Sequence, residues 1–480
     1  MKYRWILLFL MACSFLSASA QQKWSLEQCV TYAMANNISV KQSDVQSRIT
    51  ALQTKLNLAG RYPLLNFSGS GGYNFGRSIN PATNQFENNS IFFNNYQLQS
   101  SVNLFNWFSQ QHAIAASKLD QQAAEAAVDK ARNDVALNVA VGYLQALLAN
   151  EQTEISRIQI GQTQAQLDVI RKQVNAGSLP ELNAIELEAQ LARDSATYIG
   201  TLVTYQQNLI QLKALLNLDM DTPFDIEKPD ISTIPVESLA ELQPAAVYQE
   251  ALKNLPQQRV NQFRYQAALK NIKFARSSMF PTLSAFANIG SRYSSLFPDQ
   301  SSIVTVPTGK VDTLGRFEVT PGVNQYIVRD NFQVITRNLP FGNQIFDVNL
   351  SQAIGLNLSI PIFNGRQLRT NWERAKLNAE SIQIQVKQDN LTLQSDIYNA
   401  HVNAVNAQQR FIAAQKGVQA SERAFGFSQK RFQAGLLQTI ELITNQNNLY
   451  RARLDAASAQ YEYVFRMKLL EFYKGRGLKL

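Results

Sequence analysis

Cysteine and histidine are almost missing from this chain of 480 residues, which has two of each. Cys13 falls inside an N-terminal apolar run, which leaves Cys29 alone in the folded body, so an intrachain disulfide is not available. His112 and His401 lie in helical patterns and form no paired zinc-ligand motif. The chain has no GxxxxGK phosphate loop and no nucleophile elbow. The expectation is therefore no catalysis, no cofactor and no metal. Long hydrophobic runs are lacking too. After the first twenty residues none reaches the ~18 apolar residues of a spanning helix, so any membrane crossing must use strands. The formal charge of +9 is modest for this length and has no basic block suited to nucleic acid.

What the chain does have begins with an export signal over residues 1–20. Lys2 and Arg4 are its positive start, Trp5 to Leu16 its apolar middle and Ala18-Ser19-Ala20 its cleavage site. A rival reading makes Leu10 to Cys13 a lipid-attachment site. Beyond the signal the sequence is written twice. Sliding by 258 positions carries Phe105-Asn106 onto Phe363-Asn364, Ala176-Gly177 onto Ala434-Gly435 and Tyr205 onto Tyr463 without a gap. Upstream, an offset of 218 carries Asn36 onto Asn254 and Pro63 onto Pro281.

Each copy reads as helix, strand, strand and long helical hairpin. The first repeat spans 21–217, with a helix over 26–60, strands over 64–75 and 96–105, and a hairpin over 108–217. A proline-bearing equatorial linker covers 218–243. The second repeat spans 244–475, with a helix over 244–278, strands over 283–293 and 354–362, and a hairpin over 366–473. Its surplus, 294–350, is an outer loop with room for a hairpin of its own, and 476–480 is a C-terminal tail. The strands alternate apolar and polar residues with period two. The hairpins reverse at Gly177 and Gly435, where a left-handed residue ends a helix. Coiled-coil seams are predicted along Leu182, Ile185, Ala189, Ala192, Ala196, Ile199 and Val203. In the second copy the seam runs through Ile440, Ile443, Asn447, Tyr450, Leu454, Ala457, Tyr461 and Val464.

Four strands leave two open edges, which lipid cannot satisfy, and fall short of the ~8 strands of the smallest barrel. The strands must be shared between chains, and three chains give the smallest barrel with room for a passage. The reversals carry a further expectation. Val174, Gly177, Ser178 and Leu179 in the first, and Phe432, Gly435, Leu436 and Leu437 in the second, are small or apolar where solvent is expected. Such tips suit docking of a partner helical hairpin.

The two-copy order, the Ala-Gly reversals in Val174-Asn-Ala-Gly-Ser178 and Arg431-Phe-Gln-Ala-Gly435, and the Tyr62-Pro63 and Phe280-Pro281 junctions resemble the TolC-like outer-membrane efflux proteins. The resemblance implies a mainly α fold with membrane β: a long α-helical coiled-coil barrel and a 12-stranded β-barrel shared by three chains. It implies a homotrimer in outer-membrane lipid that extends into the periplasm. It also implies a periplasmic adaptor (membrane fusion) protein and an inner-membrane RND or ABC transporter as partners. The duct would then be passive, serving tripartite efflux or type I secretion. By the same resemblance, Glu441 matches an acidic position that narrows the periplasmic end. Thr444 stands where a second acid is common, Asn183 and Glu186 hold the equivalent places in the first repeat, and Arg431 or Lys430 offers a compensating cation. The alternative function is a non-transporting, envelope-spanning structural or adhesive protein that uses the 294–350 loop.

Overall fold

The computed structural model describes residues 23–79, 85–229 and 234–475. The export signal with Cys13, and the 476–480 tail, lie outside the described residues. The chain divides into two compact units: one within residues 55–115 and 270–376 that bears the strands, and a helical one made of the rest.

The first repeat runs through α1 (Leu26–Asn36), α2 (Ile38–Ala59), β1 (Leu64–Ile79), β2 (Phe86–Phe105), α3 (Ser109–Asn175) and α4 (Glu181–Leu216). The second runs through α5 (Pro244–Asn254), α6 (Pro256–Ser277), β3 (Thr282–Ser294), β4 (Val304–Thr320), β5 (Val323–Ile335), β6 (Ser351–Ser359), α7 (Gln367–Gln433) and α8 (Thr439–Tyr473). The long helices α3 and α7 have 67 residues each, roughly 100 Å at 1.5 Å per residue.

Several boundaries differ from the sequence expectation. The helices expected over 26–60 and 244–278 are each broken once, at Asn37 and Leu255, positions that correspond under the 218-residue offset. Both residues are extended, with ψ of 137° and 132°. Leu255 precedes Pro256, whose ring disfavours helix in the residue before it. Asn37 reaches the same break through its side chain, which donates to the Leu215 carbonyl at 2.8 Å and accepts from the Ser39 N–H at 2.8 Å. β1 and β2 run well past 64–75 and 96–105, because the Asn- and Ser-rich stretch beyond them pairs through its backbone without apolar alternation. β6 is shifted from 354–362 to 351–359: Pro361 has no N–H for the ladder. The 294–350 segment does hold its own hairpin, β4–β5.

In the strand unit, β1, β2, β3 and β6 form an antiparallel sheet in that order, so β1 and β6 are its unpaired edges. Residues directly opposite share a face. One face carries Phe67, Leu98 and Ile289 in a row, followed by Ala287 with Ile354, Ala285 with Leu356 and Leu283 with Leu358. The other carries Asn66, Gln99 and Asn288, then Ser68, Gln97, Gly290 and Ser351. Gly355 accommodates the Phe286 ring, which would sit 2.8 Å from a Cβ there. Among the described residues no helix is long and apolar enough to cross a membrane.

In the helical unit the main core gathers Leu26, Cys29, Val139, Tyr143, Leu147, Leu212 and Leu216 with Ile226 of the linker. The Tyr143 hydroxyl lies 3.0 and 2.7 Å from the carbonyl oxygens of Trp24 and Glu227, tying the N-terminal segment to the linker. A second core joins Leu242, Val247 and Leu255 to Ile397, Met467 and Leu470.

Candidate functional site

The two hairpin reversals lie in the helical unit and are built alike. After α3, Gly177 takes φ +72°, its N–H reaches the Val174 carbonyl, and the Ser178 N–H reaches Gln173. After α7, Gly435 takes φ +73°, its N–H reaches Phe432, and Leu436 reaches Arg431. Each is a Schellman closure, in which a left-handed glycine lets the last carbonyls of the helix find donors.

Not all of the expected docking residues face solvent. Val174, Leu179 and Phe432 pack, half-buried, against a small core of Leu167, Ile170, Ala184, Leu187 and Ile443. Leu437 is half-buried as well, whereas Gly177, Ser178, Gly435 and Leu436 are exposed. Leu182, Ile185, Leu436 and Ile440 are exposed apolar side chains there, and Leu436 is 68% open. A groove of about 540 Å³ runs between the reversals, lined by Leu179, Leu182, Asn183, Glu186, Leu437 and Thr439 among others.

The expected constriction residues fall on this end, but not all together. Thr439 Oγ1 donates to Asn183 Oδ1 at 2.8 Å, joining the start of α8 to the start of α4. Glu186 lines the same groove half-buried. Glu441 is exposed in the first turn of α8, where its charge also complements the helix N-terminus. Thr444 is exposed, with its hydroxyl on the Ile440 carbonyl at 2.8 Å. Arg431 does not reach Glu441 within the chain; its Nη2 donates to the Leu436 carbonyl at 3.4 Å.

A polar layer that the sequence reading missed lies a few turns behind the reversals. The buried carboxylate of Asp194 accepts from Thr163 Oγ1 at 2.6 Å, Gln190 Nε2 at 2.7 Å and Gln159 Nε2 at 3.4 Å. Gln446 of α8 donates to Thr163 Oγ1 at 3.0 Å, and Asn447 exchanges hydrogen bonds with Gln190. Thr163, Asp194 and Gln446 fall at helical spacing on the buried stripes of their helices, beside the buried polar Ser156, Gln159 and Gln190, and that run of polar residues is the signal by which the layer was detectable. On the outer sides Arg171 pairs with Glu188 at 2.7 Å and Arg453 with Glu422 at 3.0 Å, clasping each hairpin.

The predicted seams also separate. Ile443, Tyr461 and Val464 are buried within the chain, whereas Leu182, Ile185, Ile199 and Val203 lie exposed. The stripe of α4 that packs inside the chain is Ala184, Leu187, Gln190 and Asp194. Neither histidine has the setting of a ligand. His401 Nδ1 lies 3.1 Å from the Leu242 carbonyl, and His112 stands near Lys270 and Lys273. Among the described residues no group of three or more His, Cys, Asp or Glu side chains is placed to hold a metal.

Comparison with known proteins supplies the frame for these features. The outer membrane efflux protein family matches residues 30–218 and 247–470. No curated protein sequence matches the chain. Among solved structures, it is similar to CusC (TM-score 0.74, 17% identity, 95% of each chain). It is similar also to the CmeC outer membrane channel of Campylobacter jejuni (TM-score 0.69, 18% identity, 95% of this chain and 86% of that one). The open state of the MtrE outer membrane channel of Neisseria gonorrhoeae gives TM-score 0.69 at 18% identity, over 95% of this chain and 89% of the other. With both repeats matched and a sheet that has one apolar and one polar face, this chain belongs to the outer membrane efflux protein family, as a TolC-like channel of the outer membrane that extends into the periplasm.

Proposed function

We propose that three copies of the chain assemble into one conduit that passively carries substrates from a periplasmic adaptor and an inner-membrane transporter to the outside. The observation that carries this reading is the sheet. Its apolar face suits lipid and its polar face suits water, but β1 and β6 are open edges that a membrane does not tolerate. Three such sheets joined edge to edge make twelve strands with a polar lumen. The helices support the same assembly. Ile38, Val45, Ile49, Leu52 and Leu56 form an exposed heptad stripe on α2, and Leu377, Ile384, Leu391 and Tyr398 another on α7. With the exposed seam of α4 they are surfaces for neighbouring protomers.

At the periplasmic end, three copies of Glu441 converge into an acidic ring that favours cations. Thr444, Asn183, Glu186 and the cation of Arg431 shape the same constriction. Leu436, with Ser178 and Gly177 of the first reversal, forms the apolar tip for an adaptor hairpin.

The test is native mass spectrometry in detergent together with single-channel recording in planar lipid bilayers. A trimer with stable conductance is expected; a monomer without conductance overturns the reading. In the same recordings Glu441→Gln is expected to reduce cation selectivity, and unchanged selectivity removes Glu441 from the constriction.

A further inference from the structure

Most of the four-stranded sheet is bare of charge. Residues 64–76, 88–105, 282–291 and 351–359 contain no Asp, Glu, Lys or Arg. Where the strands give way to helices the composition changes abruptly. Within residues 55–63, 106–115, 270–281 and 360–376 there are nine Lys or Arg and a single acid, Glu373. The four strand ends are level there, since Leu64 pairs with Ser101, Phe105 with Leu283 and Thr282 with Ser359. The basic segments therefore leave the same end of the strands together.

Arg61 precedes β1, Lys273 and Arg276 precede β3, and Arg369, Arg374 and Lys376 follow β6; all six are exposed. Glu373 is already taken by Arg369 at 3.1 Å. Aromatic rings stand among the cations: Trp107 lies 5.1 Å from Phe280, and the Lys376 ammonium sits 3.5 Å over the Trp372 ring. The charges do not serve the helix they begin. The first turn of α7 has no acid, and Arg366 and Arg369 oppose the positive end of its dipole. An anion there relieves both repulsions. The local field is positive enough to act on His112, whose imidazole is held below its usual range by burial and then by Lys273 and Lys270.

We propose that this basic collar binds the phosphate headgroups of anionic phospholipids in the periplasm-facing leaflet of the outer membrane. The collar lies at the headgroup level because the uncharged band above it spans the hydrocarbon, and Trp107 and Tyr62 sit where interfacial aromatics are favoured. This inference rests on the outer-membrane location and not on the duct reading.

The test compares the full-length protein with R61Q/R276Q/R369Q/R374Q, which leaves the Lys376–Trp372 stack in place, and with the helical-unit control K253Q/K387Q/K416Q/R423Q. Each is placed in nanodiscs of mixed phosphatidylglycerol and phosphatidylcholine, and retained lipid is counted by native mass spectrometry at low and physiological salt. A cation near an anionic leaflet strengthens binding about fivefold, so the collar variant is expected to lose at least ~tenfold of the phosphatidylglycerol preference, with the control unchanged. Equal loss in the control shows a net-charge effect and overturns the proposal. So does an unchanged preference in the collar variant, or no preference in the parent. A collar variant that alters only ion selectivity in bilayers places these cations in the lumen, and this too overturns it. An unaltered oligomer for every variant on native gels separates these outcomes from misfolding.

Discussion

Two lysines near the C-terminal end of α8 are taken out of water, and their partners differ in kind from the many surface ion pairs. Lys468 meets Glu471 at 2.9 Å and Lys474 meets Glu237 of the linker at 2.6 Å, with the lysine side chains only 5% and 6% exposed. The Glu237 N–H also donates to Glu471, so linker and helix are joined through two charges. Removing one partner of a buried pair strands the other, which costs roughly 3–5 kcal/mol. Glu237→Ala is therefore expected to lower the melting temperature markedly, whereas Asp134→Asn, at the exposed Lys130 pair, leaves it unchanged. Thermal unfolding followed by circular dichroism distinguishes the two. Burial acts on Cys29 as well, pushing its thiol from 9.0 up to about 12. The native state holds this proton more tightly than the unfolded chain, so the contribution to stability is full below pH 9 and is lost as pH rises toward 12. Near pH 8 the native thiol is therefore far less ionised than a free one. Maleimide labelling is expected only after unfolding, and rapid labelling of the native protein would contradict this burial.

Among the elements, the helical hairpins are fastened by a buried polar layer next to the apolar contact behind the reversals. Thr163 is fully buried and gives Asp194 its shortest hydrogen bond. Thr163→Val keeps the shape and removes the donor, leaving a buried carboxylate partly unsatisfied. The expected cost is roughly 1–3 kcal/mol, read as a lower denaturant midpoint. A midpoint equal to the parent's would mean that water or Gln159 makes up the loss. The order and kind of the main elements were legible in the sequence, because apolar period, proline and glycine are local signals, but their number was not: each repeat-opening helix is two helices. The Asn37 break, however, needed the carbonyl of Leu215, 178 residues away, and no local pattern shows it.

For the whole molecule, the sheet assigns opposite consequences to neighbouring residues. Leu98 lies on the apolar face and Gln99 on the polar one. Leu98→Lys is expected to cost roughly 2–4 kcal/mol and to reduce membrane insertion, as a charge on a lipid face does. Gln99→Lys is expected to insert normally and to lower cation conductance. Heat-stable assembly on gels and bilayer recordings check the pair, and a reversed outcome would exchange the two faces.

The amino-acid sequence by itself determined the duplication, the strand-only route through a membrane, the two glycine reversals and the incompleteness of a four-stranded sheet. All of these follow from residue type and spacing along the chain. Only the tertiary structure decided which apolar stripe of α4 packs inside the chain, since two stripes of one helix compete for the same partners and the contacts choose between them. It likewise packed Val174, Leu179 and Phe432 half-buried against a core, gathered Asp194 with residues from three helices, and brought the scattered cations to one end of the strands, because proximity across hundreds of residues is set by packing and not by local pattern.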